Sequence, residues 1–190
     1  MEHKTKYIHQ ELIEACRQGE RAAQFKIYNL YYKAMFNTSL RILKDTAEAE
    51  DVMQESFLVA FKKLDHYSGE GTFGSWLKKI VINNALDVIR KRQEQTSIDE
   101  SGLDFPDEED HSTEEEIEWK VREIKQGISK LPEEYRIILS LHLLEGYDHE
   151  EISEILHISY NNSRTRYSRA RKRLLQIIQE TRLTKRISYN

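Results

Sequence analysis

The chain has 190 residues, enough for one medium-sized domain or two small ones but too few for a large enzyme fold. Its 38% hydrophobic and 33% charged residues favour small helical domains. Its 7 Gly and 2 Pro argue against turn-rich β-sandwiches and barrels, and its single cysteine excludes an internal disulfide. The net charge of −4 is distributed unevenly, and the polar first residues and the lack of a long apolar run predict a cytoplasmic protein with no membrane insertion of its own.

The first half of the chain predicts two consecutive amphipathic helices. Helical spacing of apolar residues predicts the first over residues 20–43. The residues at this spacing are Ala23, Ile27, Leu30, Tyr31, Ala34 and Leu40. A capping-box pattern from Asp45 to Glu48 predicts the start of the second helix. Its apolar stripe consists of Ala49, Met53, Phe57, Ala60 and Leu64.

The second predicted helix also carries a mixed face opposite its apolar stripe. Four residues at i, i+3, i+4 and i+7 share this face because of the helical period. They are Asp51, Gln54, Glu55 and Leu58. The pattern has two interpretations: a solvated face whose early acids favour the helix dipole, or a docking face for a partner helix. Periodicity alone leaves both open.

A polar loop over residues 65–74 leads into a third predicted helix, over about residues 72–92. The loop and helix combine aromatic, amide and cationic side chains: His66, Tyr67, Phe73, Trp76, Lys78, Lys79, Asn83, Asn84, Arg90, Lys91 and Arg92. This mixture suits a single strand of nucleic acid whose bases leave the stack. The alternative is that Phe73, Trp76 and Leu77 form the core of a helical bundle, and for Trp76 we favour that role. Glycines in this loop match a dinucleotide-binding pattern, but a helix precedes them where that motif needs a strand.

Residues 94–118 form a strongly acidic segment. They contain 12 Asp and Glu and no Lys or Arg, whereas residues 1–93 and 119–190 carry net charges of +3 and +5. Unbalanced like charge with few apolar residues predicts a flexible linker, and the next helix should begin near Ser112 or Thr113. The simple interpretation is a solvated tether. The alternative is a polyanion that occupies a nucleic-acid surface when the nucleic acid is absent.

The most informative pattern lies near the C-terminus and predicts a helix-turn-helix. A capping box from Asp148 to Glu151 begins a short helix, and the turn over residues 157–159 follows it. Ser159 can cap a second helix that runs to about Glu180. That helix carries six cations within ten residues: Arg164, Arg166, Arg169, Arg171, Lys172 and Arg173. Such a helix fits the major groove of duplex DNA; the alternative is a basic solvated helix that binds an acidic protein.

The patterns of metal and catalytic sites do not appear. His142, His149 and His157 are spaced by seven and eight residues, and the second histidine of a zinc-protease motif is missing after His149. There is also no nucleophile elbow. The sequence therefore predicts a binding protein that is not an enzyme and needs no cofactor.

Four motifs, taken in chain order, resemble those of one family. They are Ala49-Glu50-Asp51 with Gln54, Glu55 and Phe57; Trp76-Leu77 with Ile80, Asn83, Asp87 and Arg90; Leu131-Pro132-Glu133-Glu134-Tyr135-Arg136; and the helix-turn-helix that ends in Ser168-Arg169-Ala170-Arg171-Lys172. Over about residues 11–178 the chain resembles a bacterial RNA polymerase sigma factor of the extracytoplasmic function (ECF) subfamily of the sigma-70 family.

The resemblance implies an all-α protein of two small helical domains joined by the acidic flexible linker. Such a protein binds core RNA polymerase, recognises the promoter −10 and −35 elements and initiates transcription. Residues 1–93 would dock on polymerase and capture the −10 element as a single strand. Residues 94–118 would thread through polymerase near the RNA exit path, and residues 119–190 would read the −35 element as duplex. The implied partners are core RNA polymerase, promoter DNA and an anti-sigma factor.

The resemblance also assigns roles to residues. Polymerase binding falls to Asp51, Gln54, Glu55 and Leu58. The loop over residues 66–74 would hold a flipped base of the −10 element. The −10 set is His66, Tyr67, Phe73, Trp76, Lys79, Asn83 and Asn84. The −35 base edges would be met by Arg164, Thr165, Ser168 and Arg169, and its phosphates by Arg166, Arg171, Lys172 and Arg173.

The recognition helix departs from the family pattern in three places. Its turn usually carries a small acidic-glycine pair, where this chain has Tyr-Asn-Asn-Ser at residues 160–163. Ser163 stands where an apolar residue precedes the first arginine, and Tyr167 replaces a smaller aliphatic residue. These departures bear on which −35 sequence is read, and not on the docking mode.

Three other functions fit parts of the pattern. A two-domain regulator that acts without polymerase would bind paired half-sites as a dimer, so the number of chains per operator distinguishes it. A nucleic-acid hydrolase with metal on the acidic segment is disfavoured, because carboxylate metal sites need a rigid frame. An adaptor that binds only protein would be unaffected by loss of the C-terminal arginines.

Overall fold

The computed structural model describes residues 9–95 and 115–188, and all regular structure within these ranges is helical. The all-α prediction is therefore confirmed. The chain divides into two compact units, Met1–Ser101 and Gly102–Asn190. The predicted helix start near Ser112 or Thr113 lies outside the described residues.

In the first unit, residues 9–95 form four α-helices and one 3₁₀ turn. They are α1 (Gln10–Arg17), α2 (Arg21–Leu43), α3 (Thr46–Lys62), the 3₁₀ turn (Leu64–His66) and α4 (Phe73–Gln95). The central helix is α2, which packs against α1, α3 and α4. The three long helices match the sequence predictions closely, whereas the patterns do not predict α1.

The buried side of α2 matches the predicted one only in part, because Ala23 and Ile27 are buried and Tyr31 and Leu40 are half-buried. Leu30 is 52% exposed and Ala34 is also exposed, although both fall on the predicted apolar spacing. Thr38 and Ser39 are instead completely buried. The surrounding helices α1, α3 and α4 decide which side of α2 is covered, and the spacing within α2 does not contain that information.

The start of α3 is capped as predicted on one side only. The Asp45 carboxylate accepts a hydrogen bond from the backbone N–H of Glu48 at 2.9 Å. The Glu48 carboxylate does not complete the box but pairs with Arg92 of α4, with 3.2 Å between Oε1 and Nε. The predicted apolar stripe is confirmed, because all five of its residues are buried.

In the second unit, the described part of the chain, residues 115–188, forms four α-helices and a π-helical turn. They are α5 (Glu115–Ser129), α6 (Glu133–Leu139), the π turn (Ser140–Leu144), α7 (His149–Leu156) and α8 (Tyr160–Ser188). Helix α8 packs against α5, α6 and α7. Gly127 permits the close approach of α5, since a Cβ there would lie 2.6 Å from the side chain of Leu174.

Helix α8 continues well beyond its predicted end near Glu180, as far as Ser188. Arg182 donates two hydrogen bonds to the Glu123 carboxylate, at 2.7 and 2.6 Å. Its guanidinium also lies 5.5 Å from the ring centre of Trp119. These contacts with α5 hold the extension of the helix.

None of the helices in residues 9–95 and 115–188 is both long enough and apolar enough to cross a membrane.

Candidate functional site

One side of α3 is exposed along its whole length. Its residues, called the α3 face below, are Asp51, Gln54, Glu55 and Leu58. Leu58 is 61% exposed, while the opposite side of the helix is buried in the core. The Gln54 amide donates a hydrogen bond to Glu50 within the same helix, at 3.3 Å. The α3 face is therefore not part of the core, and it presents carboxylates, an amide and an apolar side chain to solvent.

The loop after α3 stands on packed aromatic rings. Tyr67 is 7% and Phe73 is 3% exposed, and their ring centres lie 5.6 Å apart in an edge-on arrangement. Trp76 is half-buried and lies 5.5 to 5.6 Å from both rings. Because Tyr67 and Phe73 belong to the core, their rings are not available to stack on a DNA base in this structure. Their assignment to the −10 set stays a prediction, and the half-buried Trp76 packs against the same core, which is the role favoured for it.

The exposed part of the loop is its tip, residues 68–72, which is supported by two hydrogen bonds of Tyr67. Arg17 of α1 donates from Nη2 to the carbonyl oxygen of Tyr67 at 2.8 Å. The Tyr67 hydroxyl donates to the carbonyl oxygen of Gly71 at 3.1 Å. His66, just before the tip, is exposed. The tip is thus an exposed segment on a rigid support. It is the part of the loop that a nucleobase can reach.

The conformation of the tip depends on its glycines. Gly69 and Gly71 have φ angles of +80° and +79°, which favour glycine. Thr72 ends the tip and caps α4, because its Oγ1 accepts a hydrogen bond from the backbone N–H of Ser75 at 3.1 Å. Substitutions that test the tip must therefore spare these three residues.

The predicted −10 residues on α4 fall into two groups. Lys79 and Asn83 are exposed and stand four residues apart, so they share one side of the helix. Asn84 is half-buried, and its Nδ2 donates to the Ser56 hydroxyl at 2.9 Å. Ser56 in turn donates to the carbonyl oxygen of Val52 at 2.6 Å. Asn84 therefore joins α4 to α3, whereas Lys79 and Asn83 are open to a ligand.

The helix-turn-helix is present with both predicted caps. The Asp148 carboxylate accepts from the backbone N–H of Glu151 at 2.8 Å, and the Glu151 carboxylate accepts from the backbone N–H of Asp148 at 3.0 Å. His157 adopts a left-handed conformation, with φ of 53°, and ends α7. The Ser159 hydroxyl accepts from the backbone N–H of Asn162 at 3.2 Å, which begins α8.

The front of α8 presents one polar side to solvent. Its four exposed residues, called the α8 face below, are Arg164, Thr165, Ser168 and Arg169. The opposite side is buried and consists of Ser163, Ala170, Leu174 and Ile177. Lys172 follows Ser168 by four residues, so it continues the α8 face instead of lying on a flank. The guanidinium of Arg164 lies over the ring of Tyr160, 5.8 Å from its centre.

The remaining cations of α8 have different surroundings. Arg171 is exposed. Arg166 is half-buried and lies 3.9 Å from the carboxylate of Glu134 on α6. Arg173 lies 3.8 Å from the Glu180 carboxylate on its own helix. A phosphate would have to compete with these carboxylates for Arg166 and Arg173, but not in the same way for Arg171.

Behind the α8 face lies a cluster, called the histidine cluster below, of His142, His149, Ser163 and Tyr167. The two imidazoles are stacked, with ring centres 4.8 Å apart and planes 8° from parallel. Tyr167 meets them edge-on, 4.6 Å from His142 and 5.3 Å from His149. His149 Nδ1 lies 3.0 Å from the Ser163 hydroxyl, and His142 Nδ1 lies 2.8 Å from the carbonyl oxygen of Tyr147.

Sequence reasoning missed two of these supporting features. The bond from Arg17 to Tyr67 joins residues 50 positions apart, and no local pattern signals it. The histidine cluster had a partial signal in Ser163 and Tyr167, because both depart from the family pattern. The spacing of the histidines in the sequence does not indicate that they stack. Among the described residues, no group of three or more His, Cys, Asp or Glu side chains could hold a metal ion.

Comparison with family models places two sigma regions along the chain. Residues 27–95 match Sigma-70 region 2, and residues 122–174 match Sigma-70, region 4. The α3 face and the loop tip lie within the first match, and the helix-turn-helix lies within the second.

Curated relatives align over most of their length. The chain is 30% identical over 152 residues to the ECF RNA polymerase sigma factor SigM of Bacillus subtilis, covering 78% of this chain and 91% of the relative. It is 29% identical over 183 residues to the RNA polymerase sigma-H factor of Pseudomonas aeruginosa, covering 90% and 93%.

Solved structures share the fold. The sigma factor RpoE from Bartonella quintana, in complex with the anti-sigma factor NepR, superposes with a TM-score of 0.60 at 20% identity, covering 81% of this chain and 95% of that one. CnrH, in complex with the cytosolic domain of CnrY, gives a TM-score of 0.54 at 18% identity, covering 89% and 96%.

Proposed function

The chain belongs to the extracytoplasmic function subfamily of bacterial RNA polymerase sigma factors, and from this we propose how its surfaces divide the work of transcription initiation. As a member of this family it is not an enzyme, but binds core polymerase and recognises the −10 and −35 promoter elements. We assign residues 1–93 to polymerase docking and the −10 element, residues 94–118 to the linker, and residues 119–190 to the −35 element.

The observation that carries this proposal is that two exposed surfaces of different chemistry occur in one chain, each within its own sigma region. The α3 face is acidic and ends in an exposed leucine, which suits a protein partner. The α8 face is cationic and polar, and is supported by a fully capped helix-turn-helix, which suits a DNA groove.

The proposed polymerase contact is the α3 face. An apolar side chain that remains 61% exposed, as Leu58 does, gains free energy when a partner covers it. The carboxylates of Asp51 and Glu55 beside it favour a partner with cationic side chains, which would also exclude partners of the wrong charge.

The proposed −10 contact is the loop tip with the exposed side of α4. The tip offers backbone groups at Gly69 and Gly71, where the missing side chains permit close approach. His66, Lys79 and Asn83 are exposed and supply an imidazole, a cation and an amide. Tyr67 and Phe73 support the tip from below, so their contribution to base capture is indirect.

The proposed −35 contact is the α8 face. Arginine can form two hydrogen bonds with guanine, and hydroxyl groups can meet any base edge, so the four residues combine selective and adaptable contacts. Arg171 is the best-placed phosphate contact among the predicted anchors, because it is exposed, whereas Arg166 and Arg173 lie near carboxylates.

The partners we propose are core RNA polymerase, promoter DNA and an anti-sigma factor. The similar chains RpoE and CnrH were both solved with a second protein, which for RpoE is the anti-sigma factor NepR. We place the chain in the bacterial cytoplasm, because core RNA polymerase and promoter DNA are there.

In vitro transcription with core polymerase and a pool of random promoters tests this function and defines both promoter elements. A loop variant tests the −10 role by changing three exposed residues: His66→Ala, Ser68→Ala and Glu70→Ala. It spares the glycines, the Thr72 cap and the buried rings. We expect polymerase binding to survive while permanganate reactivity of unpaired thymines in the −10 region is lost.

The control variant is Glu11→Ala, an exposed change on α1 outside the proposed surfaces. It should open promoters as the unaltered chain does. If the chain directs no promoter-specific transcript, the proposed function is wrong. If transcription occurs but the loop variant opens promoters normally, the −10 role belongs to other residues.

A further inference from the structure

The buried side of α8 contains one polar residue at a sensitive position. Ser163 is completely buried and directly precedes Arg164, the first residue of the α8 face. A buried hydroxyl without a hydrogen-bond partner destabilises the fold, so the partner of Ser163 contributes to stability. That partner is His149 of α7, whose Nδ1 lies 3.0 Å from the hydroxyl oxygen. The bond therefore ties the first turns of α8 to the start of α7.

The imidazole of His149 is itself held in place. His142 stacks on it, with ring centres 4.8 Å apart. His142 is fixed through its own Nδ1, which lies 2.8 Å from the carbonyl oxygen of Tyr147. Because a carbonyl oxygen only accepts, this nitrogen of His142 is the donor. Tyr167 closes the arrangement from α8, so contacts run continuously from the π turn through α7 to the recognition helix.

We propose that His149 is a positioning residue for −35 recognition, which holds the first turns of α8 through Ser163 and Tyr167. The inference rests on the proposed −35 role of the α8 face. His149 need not touch DNA to act in this way. It fixes the backbone next to Arg164, and a base contact through a long side chain depends on where that backbone lies.

The protonation state of His149 follows from its surroundings. The titratable and charged groups that face it are His142, Asp148, Tyr160, Arg164 and Tyr167. Burial lowers the pKa of His149, and the neighbouring His142 and Arg164 lower it further, while Asp148 acts in the opposite direction. The packed cluster therefore favours the neutral imidazole.

This preference makes the positioning role dependent on pH. Because the pKa of His149 is lowered in the packed state, a displaced His149 binds a proton more readily than a packed one. The packed state is fully favoured above the ordinary histidine pKa of about 6.5 and loses stability as the pH falls below it. For one histidine, the change between pH 7.5 and pH 5.5 is at most about tenfold in the equilibrium constant.

The test measures −35 discrimination by the full chain bound to core polymerase. Discrimination is the ratio of affinities for a duplex with the selected −35 element and one with that element scrambled, so general electrostatic effects of pH cancel. His149→Asn is the conservative variant, because its amide can replace Nδ1 in the bond to Ser163 but does not titrate. His149→Phe keeps a ring and removes the bond.

We expect the ratio for the unaltered chain to fall between pH 7.5 and pH 5.5, by at most about tenfold. His149→Asn should keep a near-normal ratio at pH 7.5 and show no fall, and His149→Phe should have a low ratio throughout. Ser163→Ala provides a second variant in case His149→Phe does not fold, and should also lower the ratio at pH 7.5.

The outcomes separate this inference from the function on which it rests. If the unaltered chain does not discriminate the −35 element at pH 7.5, the proposed function of the α8 face fails. If it discriminates, but His149→Asn shows the same fall with pH, or Ser163→Ala and a folded His149→Phe keep the normal ratio, the positioning role is overturned.

Discussion

The exposure of Leu58 leads to a quantitative prediction for polymerase binding. Replacing Gln54 and Leu58 together by alanine removes the amide and the apolar part of the α3 face, and alanine favours the helix. Full burial of a leucine side chain contributes about 1.5–3 kcal/mol, and 61% of Leu58 remains exposed in the free chain. The double variant should therefore bind core polymerase about 1–2 kcal/mol more weakly, roughly a five- to thirtyfold higher Kd.

The same variant should leave the fold nearly unchanged. Both side chains point away from the core, and the bond from Gln54 to Glu50 is an exposed one within the helix. Surface substitutions of this kind change the free energy of unfolding by about ±0.5 kcal/mol. Fluorescence anisotropy of the labelled full chain, titrated with core polymerase, measures Kd. Thermal unfolding followed by circular dichroism measures the effect on the fold.

The matched control is Leu30→Ala on α2. Leu30 is 52% exposed and lies outside the α3 face, so its loss removes a similar apolar area. The control should bind polymerase with the normal Kd. The docking assignment is refuted if the folded double variant keeps the normal Kd, or if Leu30→Ala weakens binding as strongly.

Three further predictions concern other parts of the molecule. Arg171→Ala should reduce the slope of log affinity against log salt concentration by about one, through loss of a phosphate contact, and an unchanged slope in a promoter-binding titration contradicts that role. Arg17→Met should reduce permanganate reactivity in the −10 region while polymerase affinity stays normal, because the carbonyl oxygen of Tyr67 loses its hydrogen-bond donor. Normal promoter opening by this variant would show that the bond does not support the tip. Gly127→Val should lower the melting temperature of the full chain, because the added atoms overpack against Leu174 at a cost of about 1–3 kcal/mol, and unchanged melting would show that α5 and α8 adjust freely.

The positions of the helices could be predicted because their signals are local. The spacing over residues 20–43 predicts α2 to within one residue at its start, and the predicted caps begin α3, α7 and α8. Which residues of α2 are buried depends on the neighbouring helices, so Leu30 was assigned to the wrong side. Helix α1 has only eight residues, too few for the apolar period to identify it.

The residues of the candidate site also fall into two groups, those that the sequence predicts and those whose surroundings depend on packing. The α3 and α8 faces follow from the fixed helical period and could be read from the sequence. Burial of Tyr67 could not, because it depends on the packing of Phe73 and Trp76 against it. The predicted phosphate contacts on α8 carry no local signal that separates them, but Glu134, 32 positions before Arg166, lies close enough to pair with it.

Helix α8 is unbroken from Tyr160 to Ser188 and therefore connects distant parts of the second unit. Its front carries the α8 face, it packs against α6 and α7, and Arg182 clamps its far part to Glu123 of α5. At 1.5 Å per residue, about 33 Å of helix separates Tyr160 from that clamp. Because Arg182 joins α8 to Glu123, we expect a displacement of α5 to be transmitted along α8 toward the α8 face.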